Sequence, residues 1–183
     1  TSVGVLGEVV DYDFTGIGRK GLFVALPDAG TAGRLSIDGE DWSAITATFA
    51  TNLAWNRLAS GVQDDGSSTF KPSVIVATGT TGGAMSVNYS TDGVTWSAPA
   101  SQPNLTATSS TTDIAFGNIG IGINRFVAIS PDDNRVAYSD DGGATWTVSA
   151  VLPSTGFTNI TYGQGTFVAI KPETTDVIRS TTG

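Results

Sequence analysis

The sequence predicts an all-β protein built from about four tandem antiparallel sheets, and three observations predict it. A short Ser/Asp/Gly/Trp motif recurs along the whole chain. A second element, of the form Phe-Val-Ala-aliphatic, keeps step with it. No stretch sustains a 3.6-residue apolar period, so almost no helix is expected. Internal repetition on this scale is the sequence signature of stacked or radial architectures.

The motif appears first as Ser36-Ile37-Asp38-Gly39-Glu40-Asp41-Trp42 and then as Ser90-Thr91-Asp92-Gly93-Val94-Thr95-Trp96. The third copy, Ser139-Asp140-Asp141-Gly142-Gly143-Ala144-Thr145-Trp146, is one residue longer. A fourth begins at Ser180-Thr181-Thr182-Gly183, with Thr182 at the Asp position. Successive motif serines lie 54, 49 and 41 residues apart.

Phe23-Val24-Ala25-Leu26, Phe126-Val127-Ala128-Ile129 and Phe167-Val168-Ala169-Ile170 each start 13 residues before a motif serine. The second repeat carries Val74-Ile75-Val76-Ala77 and a connection two residues longer. A third element precedes these: Ile114-Ala115-Phe116-Gly117 and Ile160-Thr161-Tyr162-Gly163, with looser matches at Val10-Asp11-Tyr12 and Leu53-Ala54-Trp55. Each element is short, rich in β-branched and aromatic residues, and bounded by Gly, Asn, Asp or Pro, so each reads as a strand. In the last repeat the strands are predicted at 159–162, 166–170 and 177–180. Four strands in about 40–50 residues is the size of one propeller blade. The expectation is a single β-propeller-like domain over 1–183, with blades near 8–50, 51–100, 110–151 and 157–183, the last incomplete.

Asp-Gly between two strands favours a hairpin, because Gly accepts positive φ and Asp accepts hydrogen bonds from its own turn. The tryptophan is expected to fold back over the hairpin and bury its apolar surface. The motif residues Ser36, Asp38, Gly39, Trp42, Ser90, Asp92, Gly93, Trp96, Ser139, Asp141, Gly142, Trp146, Ser180 and Gly183 are therefore read as structural. The pattern Ser-x-Asp-(x)-Gly-x-Thr-Trp resembles the Asp-box, or bacterial neuraminidase repeat, and the Ser139–Trp146 copy matches it most completely. That resemblance implies sialidase-like propeller blades, with the motif on the periphery and away from any active site. It implies fold strongly and function weakly.

Function classes narrow by elimination. The chain has no Cys and no His, so disulfides, thiolate metal sites and His-dependent nucleophilic triads are excluded. A net charge of −8 disfavours nucleic acid. No run of 18 apolar residues predicts a membrane span. The acidic loops Asp64-Asp65-Gly66, Asp132-Asp133-Asn134 and Asp140-Asp141-Gly142 offer oxygen ligands, but none fits the twelve-residue EF-hand pattern, so no metal or cofactor is expected. Gly117-Asn118-Ile119-Gly120-Ile121-Gly122 has no helix after it and reads as a hairpin loop rather than a phosphate loop.

Glycoside hydrolysis requires two carboxylates across a cleft. Asp11, Asp13 and Asp113 lie near the predicted inner strands, and Asp11 and Asp113 are the candidates; solvated strand ends are the favoured reading. The resemblance implies an arginine trio in true sialidases. Here Arg34, Arg135 and Arg179 sit just before motif copies, as parts of the repeat, and the Phe/Tyr-Arg-Ile-Pro signature is absent. Trp55, Phe70 and Phe157 could stack on sugars, or close contacts between blades. The expected function is a non-catalytic interaction or structural module, set in a virion (phage tail, fibre or capsid) or on a cell surface. Its expected partners are protein neighbours or a surface glycan, in an extracellular or virion location. Part of a secreted Asp-box glycoside hydrolase is the alternative. The start at Thr1 and the halt inside the fourth motif lean towards a fragment of a larger propeller. The other arrangement uses Ser2–Val9 as the outer strand of the last blade, closing a four-bladed ring.

Overall fold

A computed structural model describes residues 5–6, 13–14, 17–18, 23–26, 32–46, 49, 54–62, 73–108, 112–120, 122–172 and 174–183. Its described residues are all strand, turn and loop. Among the described residues sixteen strands run in order: β1 (Val5–Leu6), β2 (Asp13–Phe14), β3 (Ile17–Gly18), β4 (Phe23–Leu26), β5 (Ala32–Ser36), β6 (Ser43–Thr46), β7 (Ala54–Val62) and β8 (Ser73–Thr81). They continue with β9 (Ala84–Ser90), β10 (Asp113–Gly120), β11 (Ile123–Ile129), β12 (Arg135–Ser139), β13 (Thr147–Val151), β14 (Asn159–Gly163), β15 (Thr166–Ile170) and β16 (Val177–Ser180).

These strands form four antiparallel sheets of three or four strands, in the orders β1-β4-β5-β6, β7-β8-β9, β10-β11-β12-β13 and β14-β15-β16, plus the small hairpin β2-β3. The register repeats. Phe23 faces Ser36, Ile75 faces Ser90, Phe126 faces Ser139 and Phe167 faces Ser180. The first strands of successive sheets touch one another: β1 meets β7, β7 meets β10, and β10 meets β14. The chain is an all-β, propeller-like array.

The first sheet takes in Val5–Leu6, and the hairpin β2-β3 intervenes in the chain before β4. Because β1 pairs with β4, with Val5 opposite Leu26, this segment is an inner strand of the first sheet and not the outer strand of the last. Val10, Asp11 and Tyr12 lie outside the described residues, as do Leu53, Phe70 and the Asp64-Asp65-Gly66 loop.

The second sheet has three strands for a local reason. After Trp96 a single bridge joins Tyr89 to Ser97, and then Pro99 and Pro103 interrupt. Proline has no N–H for a ladder. The side chain of Gln102 takes over: its Oε1 accepts the Val87 N–H at 2.8 Å, and its Nε2 donates to the Val87 carbonyl at 3.2 Å. One amide side chain thus replaces one peptide of the absent strand. Pairing resumes where Met85 N–H donates to the Leu105 carbonyl and Ala107 N–H to the Gly83 carbonyl.

Three buried clusters hold the array together, and each spans two sheets. Val24 and Leu26 pack with Trp55, Ile75 and Trp96. Val76, Met85 and Val87 pack with Ile114, Phe126 and Trp146. Val127, Ile129 and Val136 pack with Phe157, Phe167 and Ala169. The first strands add a closer contact. A Cβ at Gly61 would overlap the Phe116 ring of the next sheet, and one at Gly117 would overlap the Tyr162 ring of the sheet after. Tyr162 also donates its hydroxyl to the Asn118 carbonyl. A Cβ at Gly163 would meet nothing within 4 Å.

This ladder predicts a graded response to alanine. Gly61→Ala and Gly117→Ala should each destabilise by about 1–3 kcal/mol, since the ring must move off its seat. Gly163→Ala should stay within about 0.5 kcal/mol of the parent. Chemical denaturation midpoints check the ranking, and equal losses at all three positions would contradict it.

Candidate functional site

The motif is a hydrogen-bonded clip at the outer hairpin of each sheet. In the first copy the Asp38 and Gly39 N–H groups donate to Ser36 Oγ at 3.3 and 2.8 Å. Asp38 Oδ1 accepts the Ser36 hydroxyl at 3.0 Å and the Glu40 and Asp41 N–H groups at 2.9 Å each. Trp42 Nε1 donates to the Gly39 carbonyl at 3.1 Å. The second copy repeats each bond through Ser90, Asp92, Gly93, Val94, Thr95 and Trp96.

The third copy shifts by one residue. Gly143, rather than Gly142, donates its N–H to the motif serine (Ser139 Oγ, 2.8 Å) and accepts from Trp146 Nε1 (3.1 Å). Gly142 absorbs the extra residue, and both glycines hold positive φ, 75° and 88°. Asp141 accepts the Thr145 N–H at 2.9 Å and the Thr145 hydroxyl at 2.6 Å. In the fourth copy Thr182 and Gly183 N–H groups donate to Ser180 Oγ at 3.1 and 2.9 Å. The serine half of the clip therefore forms there without the aspartate.

The tryptophans do not bury equally. Trp96 and Trp146 are 3% and 6% exposed, whereas Trp42 is 36% exposed and leans on Phe23 at 6.2 Å between ring centroids. Trp96 and Trp146 each enter the cluster shared with the preceding sheet. The sequence alone placed them over their own hairpin.

A second region lies where the first strands meet. A groove of about 240 Å³ runs across β7, β10 and β14, lined by Ser60, Phe116, Thr161, Tyr162 and neighbouring strand residues, none of them a carboxylate. Next in the chain to the lining residue Ile114 is Asp113, which is buried. Its Oδ2 accepts the Ile160 N–H of the fourth sheet at 2.8 Å, and its Oδ1 lies 3.5 Å from Arg57 Nε of the second. Burial pushes the Asp113 carboxyl above its ordinary range, partly opposed by the Ile160 and Ile114 N–H groups and the Arg57 charge. Beside it, Asn56 donates to Thr112, which donates to Thr78. The interior polar groups thus tie three sheets together.

Other candidates resolve individually. Trp55 is buried against Phe49 and Trp96, at 4.5 and 6.2 Å between centroids, and Phe157 is buried in the third cluster, so neither offers a face for stacking. Asp133 accepts the Thr106 N–H at 2.8 Å and binds Arg135 through Nε at 2.9 Å and Nη2 at 2.7 Å. Asp132 accepts the Thr108 N–H at 2.8 Å. This loop pins the segment that replaces the second sheet's outer strand. Arg34 and Arg179 lie exposed on separate sheets, and Arg135 is engaged with Asp133, so the three arginines share no pocket. The Asn118 region is a hairpin turn, with Asn118 Nδ2 donating to Asn124 Oδ1 at 3.1 Å. No group of three acidic residues that could hold a metal ion occurs among the described residues.

The sequence missed Arg125. It grips Asp140 with Nε and Nη2, each at 2.6 Å, lies 3.9 Å over the Tyr138 ring and donates Nη1 to the Thr182 carbonyl at 2.5 Å. It therefore links the third and fourth motifs. The only sequence signal was Asp140, an extra acid inside the longer third copy.

No family model matches the chain, and neither does any curated protein. Solved structures match in fold. A structure described as YCF48 bound to D1 peptide superposes with a TM-score of 0.54 at 14% identity, covering 97% of this chain and 50% of its own. The K499G mutant of NanB sialidase from Streptococcus pneumoniae gives a TM-score of 0.49 at 17% identity, covering 78% of this chain and 24% of its own. YCF48 from Cyanidioschyzon merolae gives 0.47 at 18% identity, covering 88% and 47%. These are β-propellers, and the chain spans half the length of the first of them. The likeness is one of fold.

The carboxylates predict a pH profile. The Arg135 side chain, against an opposing burial effect, holds Asp133 down to about 2. Burial pushes Asp92 and Asp141 up, but their hydrogen bonds outweigh it (Thr95, Val94 and Ser90; Thr145, Ser139 and Ala144) and leave both below the ordinary range. Lowered carboxylates contribute stability above the unfolded value of 3.8, and it is lost as pH falls through their folded values. Asp113 has the opposite sign: its contribution is full below 3.8 and falls as pH rises through its raised value. Unfolding free energy should therefore drop between about pH 4 and pH 2. Asp133→Asn should flatten that drop, and Asp113→Asn should not; an unchanged slope in Asp133→Asn would contradict the assignment.

Proposed function

We propose that the chain is a non-catalytic interaction module, a propeller-like array that holds a protein neighbour in an assembly. The observation that carries this reading is the use of its carboxylates. Asp113, the described candidate for catalysis, is occupied by the Ile160 N–H and faces Arg57. Among the described residues no carboxylate lines the groove beside it, whereas glycosidases set two across the scissile bond, about 5–9.5 Å apart. The aspartates of the three full motifs, and Asp132 and Asp133, accept hydrogen bonds from backbone N–H groups. A propeller of similar fold described as bound to a peptide supports protein ligands for such a scaffold. The matching proposal for location is extracellular or on a virion, and for a second ligand class a surface glycan. It rests on the Thr, Ser, Gly and Asn-rich loops, the scarcity of Lys and the absence of Cys.

One feature favours the hydrolase alternative. Asp113 is a buried carboxyl with a raised pKa beside a groove, the condition of a general acid. A panel of chromogenic glycosides and oligosaccharides separates the readings. The expected result is no hydrolysis above the uncatalysed rate. Turnover that Asp113→Asn or Asp11→Asn abolishes, with an unchanged melting curve, would replace the module by an enzyme.

A further inference from the structure

The segment 97–108 runs between the second and third sheets and bonds to both. Toward the second sheet, the Ser97 and Tyr89 N–H groups donate to each other's carbonyls at 2.9 and 3.0 Å. The Leu105 carbonyl accepts the Met85 N–H, and the Ala107 N–H donates to the Gly83 carbonyl, each at 2.9 Å. The Gln102 side chain fills the place between them, at Val87. Toward the third sheet, the Ala100 N–H donates to the Ala144 carbonyl at 2.8 Å. Ser101 Oγ accepts the Trp146 N–H at 2.9 Å and donates to the Trp146 carbonyl at 3.1 Å. The Asn104 carbonyl accepts from Arg135 Nη2 at 3.2 Å, and the Thr106 and Thr108 N–H groups donate to Asp133 and Asp132 at 2.8 Å each.

From Asn104 to Thr108 the bonding direction changes at every residue: third sheet, second, third, second, third. That is how a strand with a partner on each side directs its backbone groups. The side chains alternate as well. Leu105 and Ala107 are buried in the cluster that holds Val76 and Met85 of the second sheet and Phe126 and Trp146 of the third, whereas Asn104, Thr106 and Thr108 are exposed. The two sides differ in kind. Main chain and one amide side chain hold the segment to the second sheet. Toward the third sheet, 104–108 are held by the side chains of Asp132, Asp133 and Arg135, which lie at or beside the turn between β11 and β12. Asp133 is itself fixed there, buried and gripped by Arg135 through Nε and Nη2.

We propose that residues 97–108 are a latch, one strand shared by two sheets, which makes the second and third sheets open together or not at all. Neither side lets go alone, because Leu105 and Ala107 must leave the common cluster when either set of bonds breaks. Closed, the latch also covers the β9 edge at Met85, Val87 and Tyr89. An uncovered edge of that kind recruits foreign strands.

Native-state amide exchange of the full chain, read residue by residue by NMR, tests the latch through reciprocity. Gln102→Ala removes a bond to the second sheet, and Asp132→Ala removes one to the third; both side chains are half-buried. In the parent, the Met85, Val87, Thr106, Ala107 and Thr108 amides should exchange slowly and at a common rate. Gln102→Ala should speed Thr106 and Thr108, on the far side of the cut, by about tenfold or more. Asp132→Ala should do the same to Met85 and Val87. The β15 amides, in the fourth sheet, should keep their parent rates and so report an intact fold. Acceleration confined to the side that was cut would overturn the proposal, as would fast exchange of Thr106 and Thr108 in the parent. Should one variant lose protection at β15 as well, the far-side rates of the other decide.

Discussion

Each buried motif tryptophan belongs to one sheet by covalent connection and to the preceding sheet by packing. That interaction is the joint on which the array depends. An aromatic side chain removes about 150–250 Å² from water, worth roughly 4–6 kcal/mol at about 25 cal/mol per Å². The Ser/Asp clip supplies little of this directly. Its work is to fix a turn of six or so hydrogen-bonding groups so that the indole leaves at one angle, with its N–H satisfied by the motif glycine carbonyl. Trp96 and Trp146, which pack against the preceding sheet, are buried, whereas Trp42 is partly exposed.

The repeat was legible in the sequence because it is carried by residues with narrow conformational uses: Asp-Gly at a turn, Trp at a fixed distance, β-branched runs between. What was not legible depends on neighbours far along the chain. The aromatic-Gly pairs Phe116-Gly117 and Tyr162-Gly163 were visible as strand elements. Their role, one sheet's glycine receiving the next sheet's ring, requires the sheets to be stacked first. The replacement of a strand by the Gln102 side chain could be suspected from Pro99 and Pro103 but not located. In the third motif the sequence reading takes Gly142 as the motif glycine, whereas the hydrogen bonds select Gly143. The pairing of Val5–Leu6 with β4 had no signal in the repeat pattern, whose elements begin further along the chain.

Polar groups complete what the aromatics begin. Asp113, buried between Arg57 and the Ile160 N–H, joins the second, third and fourth sheets near their first strands, while Arg125 joins the third and fourth near their outer hairpins. A raised carboxyl pKa is commonly a mark of catalysis. Here burial gives a sufficient cause, and the partners that oppose it are elements of the scaffold. Asp113 bonds to the fourth sheet and lies beside an arginine of the second, so it sits at a junction of three sheets.

A double-mutant cycle tests the joint most directly. Trp146→Ala, Val76→Ala and the double variant would be compared by equilibrium denaturation, with Val24→Ala as the control partner from the first junction. Residues sharing one packed cluster couple by about 0.5–3 kcal/mol, and distant ones by much less. Trp146 should couple to Val76, across the sheet boundary, and be additive with Val24. Additivity with both would mean that the tryptophan serves only its own hairpin, and the joint between sheets would have to be sought elsewhere.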